Sequence, residues 1–142
     1  MDAHVLLNSD TEKHIVADTT QRIIIVGDIH GCCDELRELM EEHRQPDDLL
    51  ILAGDMVNKG PKSREVLSVA REMQCLAVVG NHELAALRGH ADRQGGKRPE
   101  ASPSFAWTDE LTPEDLTYLR NLPFTIRLPR QNSIVVLSLI HI

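Results

Sequence analysis

The chain has 142 residues, 42% hydrophobic and 26% charged, with a formal net charge of -7. That length supports one modest core, and the acidic balance argues against broad electrostatic binding to nucleic acid or anionic lipid. A phosphorylated substrate remains compatible with it, because bound cations invert the local field.

Aromatics are only 3%, so the core is expected from Val, Ile, Leu and Ala, as in buried parallel sheets. Cys32, Cys33 and Cys75 make an odd count without metal-ligand spacing, which reads as reduced thiols rather than a disulfide framework. Residues 1–21 show no basic stretch followed by an apolar one, and nothing approaches a membrane span in length. A cytoplasmic or other intracellular protein with no membrane partner is the expectation.

Along the chain, residues 1–21 are mixed and polar and read as a loose lead-in. Ile23-Ile24-Ile25-Val26 is a short aliphatic run, hence a buried strand. Cys32 to Arg44 reads as a helix, with Leu36, Leu39 and Met40 on one face and Glu35, Glu38, Glu41 and Glu42 on the other. Pro46-Asp47-Asp48 breaks it before a second strand, Leu49 to Ala53. A second helix starts at Pro61-Lys62-Ser63, runs to about Met73 and buries Val66, Leu67, Val69 and Ala70. A third strand, Leu76 to Val79, leads into a third helix through Leu84 and Leu87.

Gly89 to Pro103 reads as an exposed loop in which Arg88, Arg93, Lys97 and Arg98 either face solvent or reach an anionic substrate. Thr112 is a helix cap with Pro113 at the first position, and that helix ends near Asn121. Strands over Thr125–Leu128 and Ser133–Val136 follow, and no internal repeat is present. His4, His14, His43 and His90 have no partner motif and read as surface residues. Cys32 and Cys33 read as packing residues.

Each of the first three strands ends in a Gly-flanked polar cluster: Gly27-Asp28-Ile29-His30-Gly31, Gly54-Asp55-Met56-Val57-Asn58-Lys59-Gly60 and Gly80-Asn81-His82-Glu83. Successive parallel strands deliver such clusters to one carboxyl edge. Two Asp, an Asn and two His then converge as hard oxygen and imidazole donors, the set a divalent metal pair requires. Asp28 and His30 lie two apart, so an extended segment points both at one ion. Asp55 has lone pairs to bridge two ions, and Asn81 supplies a neutral carbonyl oxygen. His82 is expected to point elsewhere, free to donate a proton. Glu83 and Asn58 are supporting residues, Glu83 by orienting the third loop.

The order GDIHG, GDMVNKG, GNHE resembles the calcineurin-like metallophosphoesterases, in the branch of the phosphoprotein phosphatases and symmetrical diadenosine tetraphosphatases. Asn58-Lys59-Gly60-Pro61-Lys62-Ser63 and the segment Trp107 to Pro129 narrow the likeness to the ApaH-like phosphatases. The resemblance implies an α/β fold: the N-terminal half of a β-sandwich flanked by helices around a parallel βαβαβ core, with much of the second sheet absent. It implies two divalent ions (Mn, Fe, Zn, Co or Mg), with Asp28 and His30 on the first, Asp55 bridging and Asn81 on the second. It makes His82 the general acid, and puts Lys59 in the place of a phosphate-binding Arg, with Asn81 also near the phosphate. The implied activity is hydrolysis of a phosphoanhydride or phosphoester by metal-activated water. The implied substrates are dinucleoside polyphosphate, polyphosphate or capped RNA. The alternatives are a protein serine/threonine phosphatase and, from another class, a catalytically dead fragment or binding module. Asn58 stands where the protein phosphatases have an Asp paired with the catalytic His, which favours the anhydride reading.

In that family the strand after the LPF segment leads into a His-Ala-Gly motif whose His binds the second metal. Here Val136 is followed by Leu137-Ser138-Leu139-Ile140-His141-Ile142. Codons CTG TCT CTT ATA CAC ATC would encode those residues and match the end of a transposon-based sequencing adaptor. The expected organisation is a lead-in over 1–21, a partial metallophosphoesterase domain over 22–136 and adaptor read-through over 137–142, with His141 incidental.

Overall fold

Strand pairing sorts the aliphatic runs into two sheets. The computed structural model describes residues 5–11, 13–95 and 103–137. In chain order these form β1 (Val5–Thr11), β2 (His14–Thr19), β3 (Ile23–Val26), α1 (Cys33–His43), β4 (Leu49–Leu52), α2 (Ser63–Glu72), β5 (Leu76–Ala77), α3 (Asn81–Gln94), a 3-10 segment (Pro103–Glu110), α4 (Pro113–Arg120), β6 (Thr125–Leu128), a 3-10 turn (Pro129–Gln131) and β7 (Ser133–Val135). One sheet is parallel throughout, in the order β3-β4-β5, with Ile23 opposite Leu49 and Ile51 opposite Leu76. The other runs β1-β2-β6-β7, parallel only between β2 and β6.

β4 shows why the architecture is layered. All four of its residues are buried, which fits a central parallel strand covered on both faces. Leu50 and Leu52 join Leu36, Met40, Val66, Leu67, Ala70 and Leu119 in a core between sheet and helices. Leu49 and Ile51 face the other way, against Ala17, Ile126, Leu128 and Val135 of the second sheet. The period of two thus places one strand's side chains in both cores. The α/β sandwich expected from the motifs is the fold observed.

Three local expectations change. β1 and β2 pair antiparallel and are not a loose lead-in, so four strands of the second sheet are present. The signal was weak because Ala17 and Thr19 are the deeply buried residues of β2, and neither is strongly apolar. Helix α3 continues to Gln94, into the stretch read as loop, and Gly89 sits where Phe105 packs too closely for a side chain. His90 lies on that helix, partly buried, with Nδ1 3.1 Å from the Thr108 carbonyl. His14 is likewise engaged, 2.9 Å from the Thr125 hydroxyl, whereas His43 is exposed as expected. His4, Lys97, Arg98 and residues 138–142 lie outside the described residues.

The start of α4 follows the sequence closely. Thr112 Oγ1 accepts the Asp115 N–H at 3.1 Å, and the Asp115 carboxylate accepts the Thr112 N–H at 3.0 Å. This reciprocal cap satisfies two backbone donors that the helix itself leaves unpaired. Among the described residues no helix is long and apolar enough to cross a membrane.

Candidate metal centre

Strands β3, β4 and β5 all end at one edge of the parallel sheet, and the three polar clusters leave from there. The first two loops are laced together by backbone bonds, from His30 N–H to the Asp55 carbonyl at 2.9 Å and from Gly31 N–H to the Met56 carbonyl at 2.8 Å. Approach is so close at Gly60 that a side chain there would run into the His30 carbonyl.

Left-handed backbone marks these loops. Asp28, His30, Asp55, Asn58 and Lys59 have φ of 51°, 46°, 50°, 74° and 73°. Asp and Asn tolerate that region, but for His and Lys it is costly, and such strain clusters at functional sites. The first loop is therefore not extended, and the two-apart argument for Asp28 and His30 fails. Asp28 lies exposed, outside the donor cluster formed by its neighbours.

That cluster is His30, Asp55 and His82, whose ligand atoms all lie within 4.8 Å of one another. His82 thus turns toward the other donors and not away from them. The His30 and His82 rings meet edge to face, with centroids 4.7 Å apart. Backbone and side chains orient each member. His30 Nδ1 lies 3.4 Å from the Val57 carbonyl, which leaves Nε2 for a ligand. Asp55 Oδ1 accepts the His82 N–H at 3.0 Å. His82 Nδ1 lies 3.2 Å from Asn58 Nδ2. Imidazole and carboxylate at this spacing fit one transition-type divalent ion with bonds of ~2 Å. Asn81 opens α3 and is exposed, as is Lys59 in the second loop.

Glu83 does more than its supporting assignment suggested. It is fully buried, and its carboxylate accepts the N–H groups of Asp55 at 2.7 Å, Met56 at 2.8 Å, Val57 at 3.3 Å and Gly80 at 2.8 Å. Burial pushes its pKa up, and the N–H groups of Gly80, Val57 and Asp55 pull it down. One side chain so ties the second polar loop to the third. The legible signal was a Glu three residues beyond Gly80 at a helix start, the position of a capping acid.

Trp107 was missed as a site residue. From the 3-10 segment its indole N–H reaches Asn58 Oδ1 at 3.4 Å. Its sequence signals were being the sole Trp in an aromatic-poor chain and opening the segment that carries the family likeness. Leu137, the residue after Val136, lies against the same edge: a side chain at Gly80 would come within 2.6 Å of it.

Comparison with known proteins agrees with this geometry. Residues 21–134 match the model of the calcineurin-like phosphoesterases. A symmetrical bis(5'-nucleosyl)-tetraphosphatase of Psychromonas ingrahamii is 36% identical over 116 residues, 79% of this chain and 42% of that protein. Serine/threonine-protein phosphatase 1 of Salmonella typhimurium is 39% identical over 84 residues, 58% of this chain and 39% of that one. A crystal structure with a provisional diadenosine tetraphosphatase assignment superposes with a TM-score of 0.72 at 31% identity, covering 87% of this chain and 53% of its own. The chain spans about two fifths of the length of the curated relatives it matches. With the family model covering most of the chain and the motif residues gathered at one sheet edge, the chain belongs to the calcineurin-like phosphoesterases.

Proposed function

We propose that the protein is a metal-dependent phosphohydrolase that cleaves phosphoanhydrides of the dinucleoside polyphosphate class. The observation that carries this reading is the convergence of His30, Asp55 and His82 within 4.8 Å, with His30 and Asp55 at left-handed backbone and the Glu83 carboxylate tying the Asp55 loop to Gly80. His30 and Asp55 of the cluster, with Asp28 and Asn81 in the same motifs, would hold divalent ions. Bound divalent ions supply polarisation of the phosphoryl oxygens and a more acidic water. Lys59 neutralises phosphoryl charge as a point charge, without the fork an Arg would offer. His82 offers its N–H to the leaving oxygen. The compartment is intracellular on this reading.

The 142 residues by themselves hold at most one ion and do not turn over, because Asp55 and Asn81 are too few donors for a second. Residues 137–142 belong to no functional element on this reading. In the relatives' setting, a His directly after Val136 would stand where Leu137 packs against Gly54 and Gly80.

The test uses protein at the relatives' length with Mn2+. It should cleave a dinucleoside tetraphosphate faster than a phosphoserine peptide, and Asp55→Asn should lower turnover by about a thousandfold or more as the shared ligand is lost. A clear preference for the phosphopeptide would establish the second reading, a serine/threonine phosphatase. That reading draws on the 39% identity to the Salmonella enzyme over 84 residues.

A further inference from the structure

The chain has two Phe, one Tyr and one Trp, and the first three are engaged in packing. Phe105 lies over Gly89, and Phe124 meets the His14 ring and the Lys13 ammonium. Tyr118 packs against the helix-side core with its hydroxyl buried. Trp107 is placed differently. Its indole N–H points at Asn58 Oδ1, 3.4 Å away, in the loop that also carries Asp55 and Lys59. Asn58 in turn touches His82, so the indole stands one amide side chain outside the donor cluster. The ring packs against the helix-side core yet keeps part of its surface exposed.

The segment that carries Trp107 is fastened to α3 on both sides of it. Phe105 fills the space over Gly89, where an added Cβ would come within 2.6 Å of its ring. The Thr108 carbonyl lies 3.1 Å from His90 Nδ1, and the Asp109 carboxylate accepts Arg93 Nε at 2.9 Å and Nη2 at 2.6 Å. Within the segment, Thr108 Oγ1 donates to the Phe105 carbonyl at 2.6 Å, and the Leu111 N–H donates to the Thr108 carbonyl at 3.1 Å. These bonds fix the indole relative to the polar loops. An aromatic ring held this way loses little conformational freedom when a flat ligand settles on it.

Charge by itself gives a large anionic ligand little to hold here. The chain is acidic, with a formal net charge of -7. Lys62 binds both Asp34 oxygens at 3.0 Å, and Arg93 is paired with Asp109, so both cations are engaged with acids. A dinucleoside polyphosphate also presents two flat bases. A ribose and at least one phosphate separate each base from the bond that breaks. A part-exposed indole one side chain outside the cluster suits that portion of the ligand. Stacking of a base on an indole needs no charge and accepts any base, since each has a π-face.

We infer that Trp107 is a specificity-determining residue that stacks one nucleobase of the substrate, so that the site takes nucleotide polyphosphates in preference to base-free ones. The inference rests on the phosphohydrolase reading above. Trp107 meets the base and not the reacting phosphoryl group, so its contribution lies in binding.

The test compares two variants with the parent in Mg2+-loaded protein of the relatives' length. Trp107→Leu removes the aromatic face, whereas Trp107→Phe keeps a face and removes the N–H that meets Asn58. KM for diadenosine tetraphosphate should rise about tenfold in Trp107→Leu, within the worth of one stacked base, with kcat little changed. The rise should be far smaller in Trp107→Phe. The inhibition constant of inorganic tripolyphosphate, which carries no base, should be unchanged in both variants. ADP should quench the tryptophan fluorescence that Trp107 supplies, the part absent from Trp107→Phe, and pyrophosphate should not. Equal losses in the Leu and Phe variants would trace the effect to the Asn58 hydrogen bond, and a parallel loss for tripolyphosphate would trace it to a shifted site. Either result overturns the inference, as does Trp107 fluorescence that ADP leaves unmoved. If Trp107→Leu does not fold, the quenching and the Trp107→Phe constants decide. A parent whose Trp107 is quenched by ADP but which cleaves no anhydride defeats the phosphohydrolase reading and leaves the stacking in place.

Discussion

Glu83 is the residue on which the candidate centre depends without taking part in its chemistry. Four backbone N–H groups from two loops point at one carboxylate, and three of the four bonds are 2.8 Å or shorter. Those donors belong to Asp55 and the turn after it and to Gly80, the residue before the third motif. Glu83→Gln keeps the shape but replaces an acceptor oxygen with an NH2 facing N–H groups. At least one buried donor is then unsatisfied and the charge assistance is gone, for a loss of about 2–4 kcal/mol. Equilibrium urea unfolding should show a lowered midpoint at unchanged m-value, since the folded surface is the same. Glu38→Gln, at an exposed acid of α1, is the control, and a Glu83→Gln midpoint no lower than that control's would remove the anchoring role. His82 shows what the residue scale hides from sequence. Its position in GNHE gave the chemistry, but the direction of its ring depends on Asn58 and Trp107, 24 and 25 residues away in opposite directions along the chain.

Elements were legible where local chemistry and burial agree. Leu36, Met40, Val66, Leu67, Val69 and Ala70 are core residues on the faces their helical spacing implied. Thr112 and Pro113 mark the start of α4 because capping is a short-range code. β1 and β2 were not legible: β1 pairs only with β2, and the partner that seats β2 in the sheet, β6, lies more than 100 residues downstream. Left-handed φ at His30 and Lys59 was equally hidden, since those residue types do not advertise it.

The junction of β3 and β4 supplies a pH prediction. Arg22 Nε donates to Asp48 Oδ1 at 2.9 Å, Gln45 N–H donates to Oδ2 at 2.8 Å, and the Arg22 carbonyl accepts the Leu49 N–H at 2.9 Å. The Arg22 hydrogen bond, helped by the Gln45 N–H, lowers the Asp48 pKa to about 2. A lowered carboxylate stabilises the fold above its ordinary pKa of about 4, and that contribution is lost as pH falls toward 2. The urea midpoint should therefore drop between pH 5 and pH 2.5 by more in the parent than in Asp48→Asn. Equal drops in the two proteins would assign the acid sensitivity to other groups.

At the scale of the molecule, the two sheets are not equally finished. The second sheet encloses one core with the first, through Ala17, Ile126, Leu128 and Val135 against Leu49 and Ile51. On the side of β5 the chain continues into Val79, whose N–H bonds to the Pro123 carbonyl. On its other side β3 pairs with β4 alone among the described residues. Ile25 is 51% exposed there and Leu39 of α1 is 36% exposed, beside a groove of about 440 Å³ lined by residues 22–27, Leu39 and His43. An open strand edge bordered by exposed isoleucine and leucine offers unpaired N–H and C=O groups to any similar edge. The 142-residue chain on its own should accordingly self-associate through β3, and sedimentation velocity should show its mass rising with concentration. Ile25→Lys combined with Leu39→Glu places charge on both sides of the groove, spares the cores on either face of β4, and should return the chain to a monomer. A parent chain that stays monomeric at high concentration would mean that β3 needs no cover; association that persists in the double variant would place it on another surface.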